Sequence, residues 1–181
     1  MRTFISSTLV LLILIFSNCR PDERDYFTSY PGYPDVPSSI MEEHVSLLDR
    51  AYQFTLLPDS TGIAALKLYE MMIHHFNEEE DFAFPPLGVL PMLASEEIPE
   101  EVEEIIRLTE RLQSQMPVML AEHQMAGVYL DELKQVASEE YLPQIIKFET
   151  DLHRHAAFEE EVLFPAAILV GEYLKLNLNP D

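Results

Sequence analysis

Two stretches of this chain repeat the same side chains at one spacing. His75-Phe76-Asn77-Glu78-Glu79-Glu80, trailed by Phe84-Pro85, matches His155-Ala156-Ala157-Phe158-Glu159-Glu160, trailed by Phe164-Pro165, at a constant offset of 80 residues (75 to 155, 79 to 159). A second pair, Glu43-His44 and Glu122-His123, is offset by 79 (44 to 123), a difference that a loop can absorb. On a helix, a spacing of four puts His75 over Glu79 and His155 over Glu159, so each pair converges on one point. The set His44, His75, Glu79, His123, His155 and Glu159 then offers four imidazoles and two carboxylates, a donor mixture suited to iron, manganese or zinc. Carboxylates on apolar stripes would carry a large desolvation cost, and divalent cations reverse it. Two such ions against two carboxylates leave an excess of positive charge, which predicts a bridging hydroxide or oxide.

The neighbouring donors are weighed and set aside. Glu78 and Glu160 are one residue out of register, which rotates a side chain about 100° from the histidine's face. His74 and His153 likewise point elsewhere, to the surface or to a supporting role. Met71, Met72, Met116 and Met119 read as apolar filler rather than as copper ligands. Tyr52 and Tyr69 are candidates for donors beside the cluster.

The elements that must hold these residues read as helices. Ser39 and Glu42 form a capping-box pattern, and Ile40, His44, Leu47, Leu48, Ala51 and Thr55 then share a face to about Leu57. Pro58-Asp59-Ser60 breaks the chain before a second stripe, Ala64, Leu68, Met71, Met72, His75 and Glu79. A loop with Pro85, Pro86, Pro91 and Pro99 follows. The acidic run from Glu100 to Glu104 opens a third helix over 99–137, bent at Pro117. Ser138 marks a turn, and Leu142, Ile145, Phe148, Leu152, His155, Glu159 and Val162 form a fourth stripe ending before Pro165. The expected fold class is all-α, an up-down-up-down four-helix bundle.

Composition agrees. Hydrophobic residues at 48 % with five glycines and eight methionines favour packed helices. A formal charge of -21 repels phosphate and so argues against nucleic acid, while tolerating cations. The 181 residues suit one compact domain, predicted over 39–176.

Residues 1–18 read as a signal peptide, with Arg2 ahead of an apolar run from Leu9 to Phe16. Phe16-Ser17-Asn18-Cys19 resembles a bacterial lipobox, with Phe16 and Asn18 departing from the usual residues. That resemblance implies lipidation at Cys19, a Pro-rich linker over 19–38, and an exported lipoprotein held on a membrane and facing the periplasm or cell surface. With no second cysteine, no intramolecular disulfide can form.

The doubled His-x3-Glu with trailing Phe-Pro, together with Glu43-His44-Val45-Ser46-Leu47-Leu48 and Ala121-Glu122-His123-Gln124, resembles the hemerythrin, or HHE cation-binding, family over about 39–170. The resemblance implies a non-heme di-iron centre, two iron ions with an oxo or hydroxo bridge. His44, His75, His123 and His155 would be terminal ligands, and Glu79 and Glu159 bridges. Oxygen-carrying members use a fifth histidine in a His-x3-His pair on the third helix, where this chain has Gly127. The four-His, two-Glu set looks more like the family's repair and sensing members. The expected partner is O2, NO or peroxide, with the electron donor and any catalysis left open. Iron storage, delivery or iron-centre repair is the alternative, and a metal-free helical adaptor the third reading.

Overall fold

The structure is a computed structural model, and it describes residues 34–178; the predicted signal peptide, Cys19 and the predicted linker up to residue 33 lie outside them. The described chain is helical, without strands. Helix α1 is Ser38–Thr55, α2 Asp59–Glu78, α3 Leu90–Ala94, α4 Val102–Val136, α5 Leu142–Phe158 and α6 Phe164–Leu178. No helix among these residues is long and apolar enough to cross a membrane.

Helix α1 has its N-cap at Pro37, two residues earlier than the Ser39–Glu42 capping box predicts, and no side chain caps it. The Pro37 carbonyl instead accepts from the Ile40 N–H at 3.0 Å, which places Ser39 inside the first turn, where it cannot act as the cap. Ile40, His44, Leu47, Ala51 and Phe54 are its buried stripe. Between α1 and α2 the chain reverses through Pro58 into Asp59, which takes a left-handed φ of 57°, a conformation that aspartate tolerates better than most residues. Past Pro85 the expected loop is partly helical: a 3-10 turn, Pro85–Val89, leads directly into α3.

Two π-helical turns, Glu79–Ala83 and Glu159–Leu163, follow α2 and α5 at equivalent points of the repeat. Each is closed by a phenylalanine N–H donating five residues back: Phe84 to the Glu79 carbonyl at 2.9 Å, and Phe164 to that of Glu159. The following proline explains the widening. Proline has no N–H and its ring collides with the carbonyl four residues back in an α-helix, and a π turn just before it opens that register. After Pro165, Ala166 and Ala167 let the helix resume to Leu178, so the fourth stripe does not stop at Pro165 as predicted. After Pro85 comes a second proline, Pro86, with Gly88 beyond, and the α-helix ends. The third stripe runs as one helix through Pro117, within 102–136 rather than 99–137.

Helix α1 packs on α2, α2 on α4, and α4 on both α5 and α6. Two large apolar layers result, with a smaller third cluster of Val89, Val102, Ile105, Val170 and Leu174. One holds Leu47, Phe54, Leu68, Phe76, Leu130 and Phe148; the other holds Phe82, Phe84, Leu108, Leu112, Met119 and Phe164. At the α4–α6 crossing, a Cβ on Gly171 would lie 2.0 Å from Thr109 Oγ1 and 2.7 Å from Thr109 Cβ. Thr109 is itself buried and bonded to the Ile106 carbonyl, so it cannot yield. Gly171→Ala is therefore expected to destabilise the fold by about 1–3 kcal/mol in urea unfolding.

Candidate metal centre

The six predicted residues meet between the two apolar layers. His44 comes from the middle of α1, His123 from α4, and His75 and His155 from the last turns of α2 and α5. Glu79 and Glu159 are the first residues of the two π turns. Both carboxylates and His44 are 0 % exposed, and His75 and His155 are 4 % exposed.

The carboxylates divide their oxygens between two pairs of imidazoles. Glu79 places Oε2 3.6 Å from His44 Nε2, and Oε1 3.2 Å from His75 Nε2 and 3.9 Å from His123 Nε2. Glu159 places Oε1 2.8 Å from His155 Nε2 and 3.5 Å from His44 Nε2, and Oε2 3.3 Å from His123 Nε2. Two overlapping donor groups follow, His44-Glu79-His155-Glu159 and His75-Glu79-His123-Glu159, each with its ligand atoms within 4.8 Å of one another. Both carboxylates belong to both groups, so each can span two cations.

Among the described residues, the buried side-chain polar atoms without a hydrogen-bond partner are the four Nε2 atoms of these histidines and the four oxygens of these glutamates. Leaving one such atom unpaired costs about 1–3 kcal/mol, and more when charged, so eight at one point are not a resting arrangement for an apolar core. Cations at the two donor groups would satisfy all of them, and the donor set fits such ions.

The other ring nitrogens are engaged. His44 Nδ1 lies 2.8 Å from Glu80, His75 Nδ1 2.8 Å from Glu122, and His123 Nδ1 2.8 Å from Glu160, while Glu43 stands 3.6 Å from His155 Nδ1. Carboxylates at Nδ1 fix ring orientation and direct Nε2 inward. These four glutamates obey the same offsets as the ligands, Glu80 to Glu160 by 80 and Glu43 to Glu122 by 79. Their duplication was the available signal, and sequence reasoning gave them no role; Glu160, rejected there as a misregistered ligand, serves on the outer side of His123. Glu122→Gln is expected to weaken metal binding about 10–100-fold by equilibrium dialysis with the helical content unchanged.

Electrostatics without metal are lopsided. Burial alone would lower His44, yet Glu159, Glu80 and Glu79 raise it from 6.5 to about 9. Burial likewise opposes, and Glu79 and Glu122 overcome, in raising His75 to about 9; His123 is also raised, against its burial, by Glu159 and Glu160. Burial, and then the charge of Glu159, push Glu79 upward. Glu159 feels the same burial but is held well below the usual carboxylate range by His123, His155 and His44.

Phenylalanines wall the cluster. Phe76 stacks on His44 at 4.0 Å and Phe164 on His123 at 6.0 Å. A small, mostly apolar cavity of about 20 Å³ lies beside His75, His123 and His155, bordered by Met72, Phe76 and Leu152, with room for one water-sized molecule. Next to Gly127, His153 Nε2 stands 3.9 Å from where a Cβ would be, so an imidazole from α5 borders the space left by that glycine. His74 and His153 are exposed and outside both donor groups. Met72 and Met119 are buried in the apolar layers, and Tyr52 and Tyr69 lie ring against ring at 5.6 Å.

Helices that bury a shared His/Glu cluster able to hold metal ions define a cation-binding helical protein. The chain belongs to the hemerythrin HHE cation binding domain family, whose profile matches residues 36–167. No curated protein and no solved structure matches the chain.

Proposed function

We propose that this protein is a non-heme di-iron protein that binds or senses a small oxidant or diatomic ligand, O2, NO or peroxide. In this reading the helical rods run up-down-up-down: α1; α2 with its π turn; α4; and α5 continued through its π turn into α6. His44 and His155 would hold one iron and His75 and His123 the other, with Glu79 and Glu159 available to both. The observation that carries it is the set of eight buried donors without hydrogen-bond partners, which two cations would complete.

The chain's own residues do the rest. Glu80, Glu122 and Glu160 keep three imidazoles oriented with Nε2 inward. Phe76, Phe84 and Phe164 exclude bulk water, which strengthens every electrostatic interaction inside. When bound, the irons would supply electrons and an open coordination position. Six protein ligands shared between two irons would leave such a position, and the cavity beside His75 and His123 has room for one water-sized molecule. Export and anchoring through a lipidated Cys19 belong to the same proposal and rest on the lipobox resemblance.

The test is metal content per chain on protein purified without a metal-affinity tag, with ultraviolet-visible spectra before and after reduction and exposure to O2 and to NO. Two irons with bridged charge-transfer bands that respond to either gas are expected. Weak, partial retention with no response would favour storage, delivery or repair, and no uptake after anaerobic iron addition would sink both.

A further inference from the structure

A third donor group lies outside the buried centre. On the surface of α2 and α4, His74 Nδ1 stands 3.8 Å from Glu78 Oε2 and 3.7 Å from Glu122 Oε1, and all three donor atoms lie within 4.8 Å of one another. With the third separation no more than 4.8 Å, a point equidistant from the three donors lies no more than about 2.4 Å from each, within a few tenths of an ångström of cation–nitrogen and cation–oxygen bond lengths. One imidazole with two carboxylates favours a first-row transition cation over calcium or magnesium, and the two negative charges match its own.

Placement separates this group from a solvated acidic face. Glu122 is shared: its Oε1 faces His74 while its Oε2 lies 2.8 Å from His75 Nδ1. The same glutamate borders the cavity whose wall also includes His75, His123 and His155, three nearly buried imidazoles with unpartnered Nε2 atoms. The internal repeat, faithful in every ligand, is broken here. Eighty residues on, His74 and Glu78 become Arg154 and Phe158, and Arg154 pairs with Asp151. The outer donor set is thus present on one side of the centre and absent from the equivalent position on the other.

We propose that His74, Glu78 and Glu122 form an outer divalent transition-cation site from which the buried centre is loaded along the cavity. The loading role rests on the two-cation reading of the centre; the outer site does not.

The experiment titrates metal-free full-length protein with Co2+, reading stoichiometry by equilibrium dialysis and the filling rate from the cobalt absorption bands. Wild type is compared with the His74→Ala/Glu78→Gln double variant, whose changes touch neither donor group of the centre. The expected result is three cobalts in wild type, the third the weakest, against two in the variant, with filling of the centre slowed about tenfold. Two cobalts in both, or three in both, overturns the outer site. A loss from three to two with an unchanged filling rate overturns the loading role and keeps the site. One cobalt in wild type and none in the variant keeps the outer site and instead sinks the two-cation reading of the centre.

Discussion

In metal-free protein, Glu159→Gln is expected to destabilise the fold by about 3–5 kcal/mol, while Glu79→Gln costs less than about 1 kcal/mol, although the two residues are equivalent in the repeat. The asymmetry is geometric. Glu159 meets imidazoles at 2.8, 3.3 and 3.5 Å, whereas the corresponding distances for Glu79 are 3.2, 3.6 and 3.9 Å. Two buried carboxylates this close disfavour each other's charge, and the better-surrounded one holds its charge more readily. Glu159 is therefore the anion that balances His44, His123 and His155, and a neutral amide there strands positive charge in the core. Glu79 is pushed upward by burial and by Glu159 and stands farther from its imidazoles, so an amide in its place loses less. Urea unfolding of chelator-treated variants measures the difference, and equal losses would refute the division of roles. Loaded protein should respond differently: either amide removes an anionic ligand common to both cations, so each variant is expected to hold less than one tight metal per chain.

The candidate metal donors were legible in the sequence because a metal site demands donor types at fixed helical intervals, and a duplicated constraint leaves a duplicated pattern. His75 with Glu79 and His155 with Glu159 announced themselves by the spacing of four and the offset of 80. The helical class followed from stripes such as Leu142, Ile145, Phe148 and Leu152, three of which are buried where that period puts them. Boundaries were less legible, for a local reason. Pro165 reads as a terminator when only α and coil are considered, yet the π turn before it carries the chain onward into α6, and nothing in Glu159-Glu160-Glu161 distinguishes that from an ordinary last turn. Pro85, with the same predecessor, does end its helix because Pro86 follows. The capping box failed because Pro37 started α1 before Ser39 could cap it. Glu80 and Glu160, behind His44 and His123, were hidden within acidic runs, where solvation is the ordinary fate of a glutamate, and Glu122 carried no helical spacing to His75. Only the three-dimensional pairing of Glu80 with His44 and of Glu122 with His75, each across two helices, selects them.

Metal loading should couple strongly to pH, and in one direction. His44 and His75, raised to about 9 in the metal-free fold, carry protons at neutral pH that a cation must displace before either Nε2 can bind it. With two imidazole protons released, the overall affinity for the pair of cations is expected to rise roughly 100-fold per pH unit below about 9, and more slowly above it. Metal-free stability moves the other way. Groups whose folded pKa exceeds the unfolded value contribute fully below about 6.5, and that contribution fades as pH climbs through about 9. The loaded protein has already surrendered those protons and is spared the loss. The gap between loaded and metal-free melting temperatures should accordingly widen steadily from pH 6.5 to 9, with proton release on loading measurable in weakly buffered solution. A gap independent of pH would mean that His44 and His75 are neutral before metal arrives, and that the carboxylates facing them, rather than the imidazoles, carry the protons.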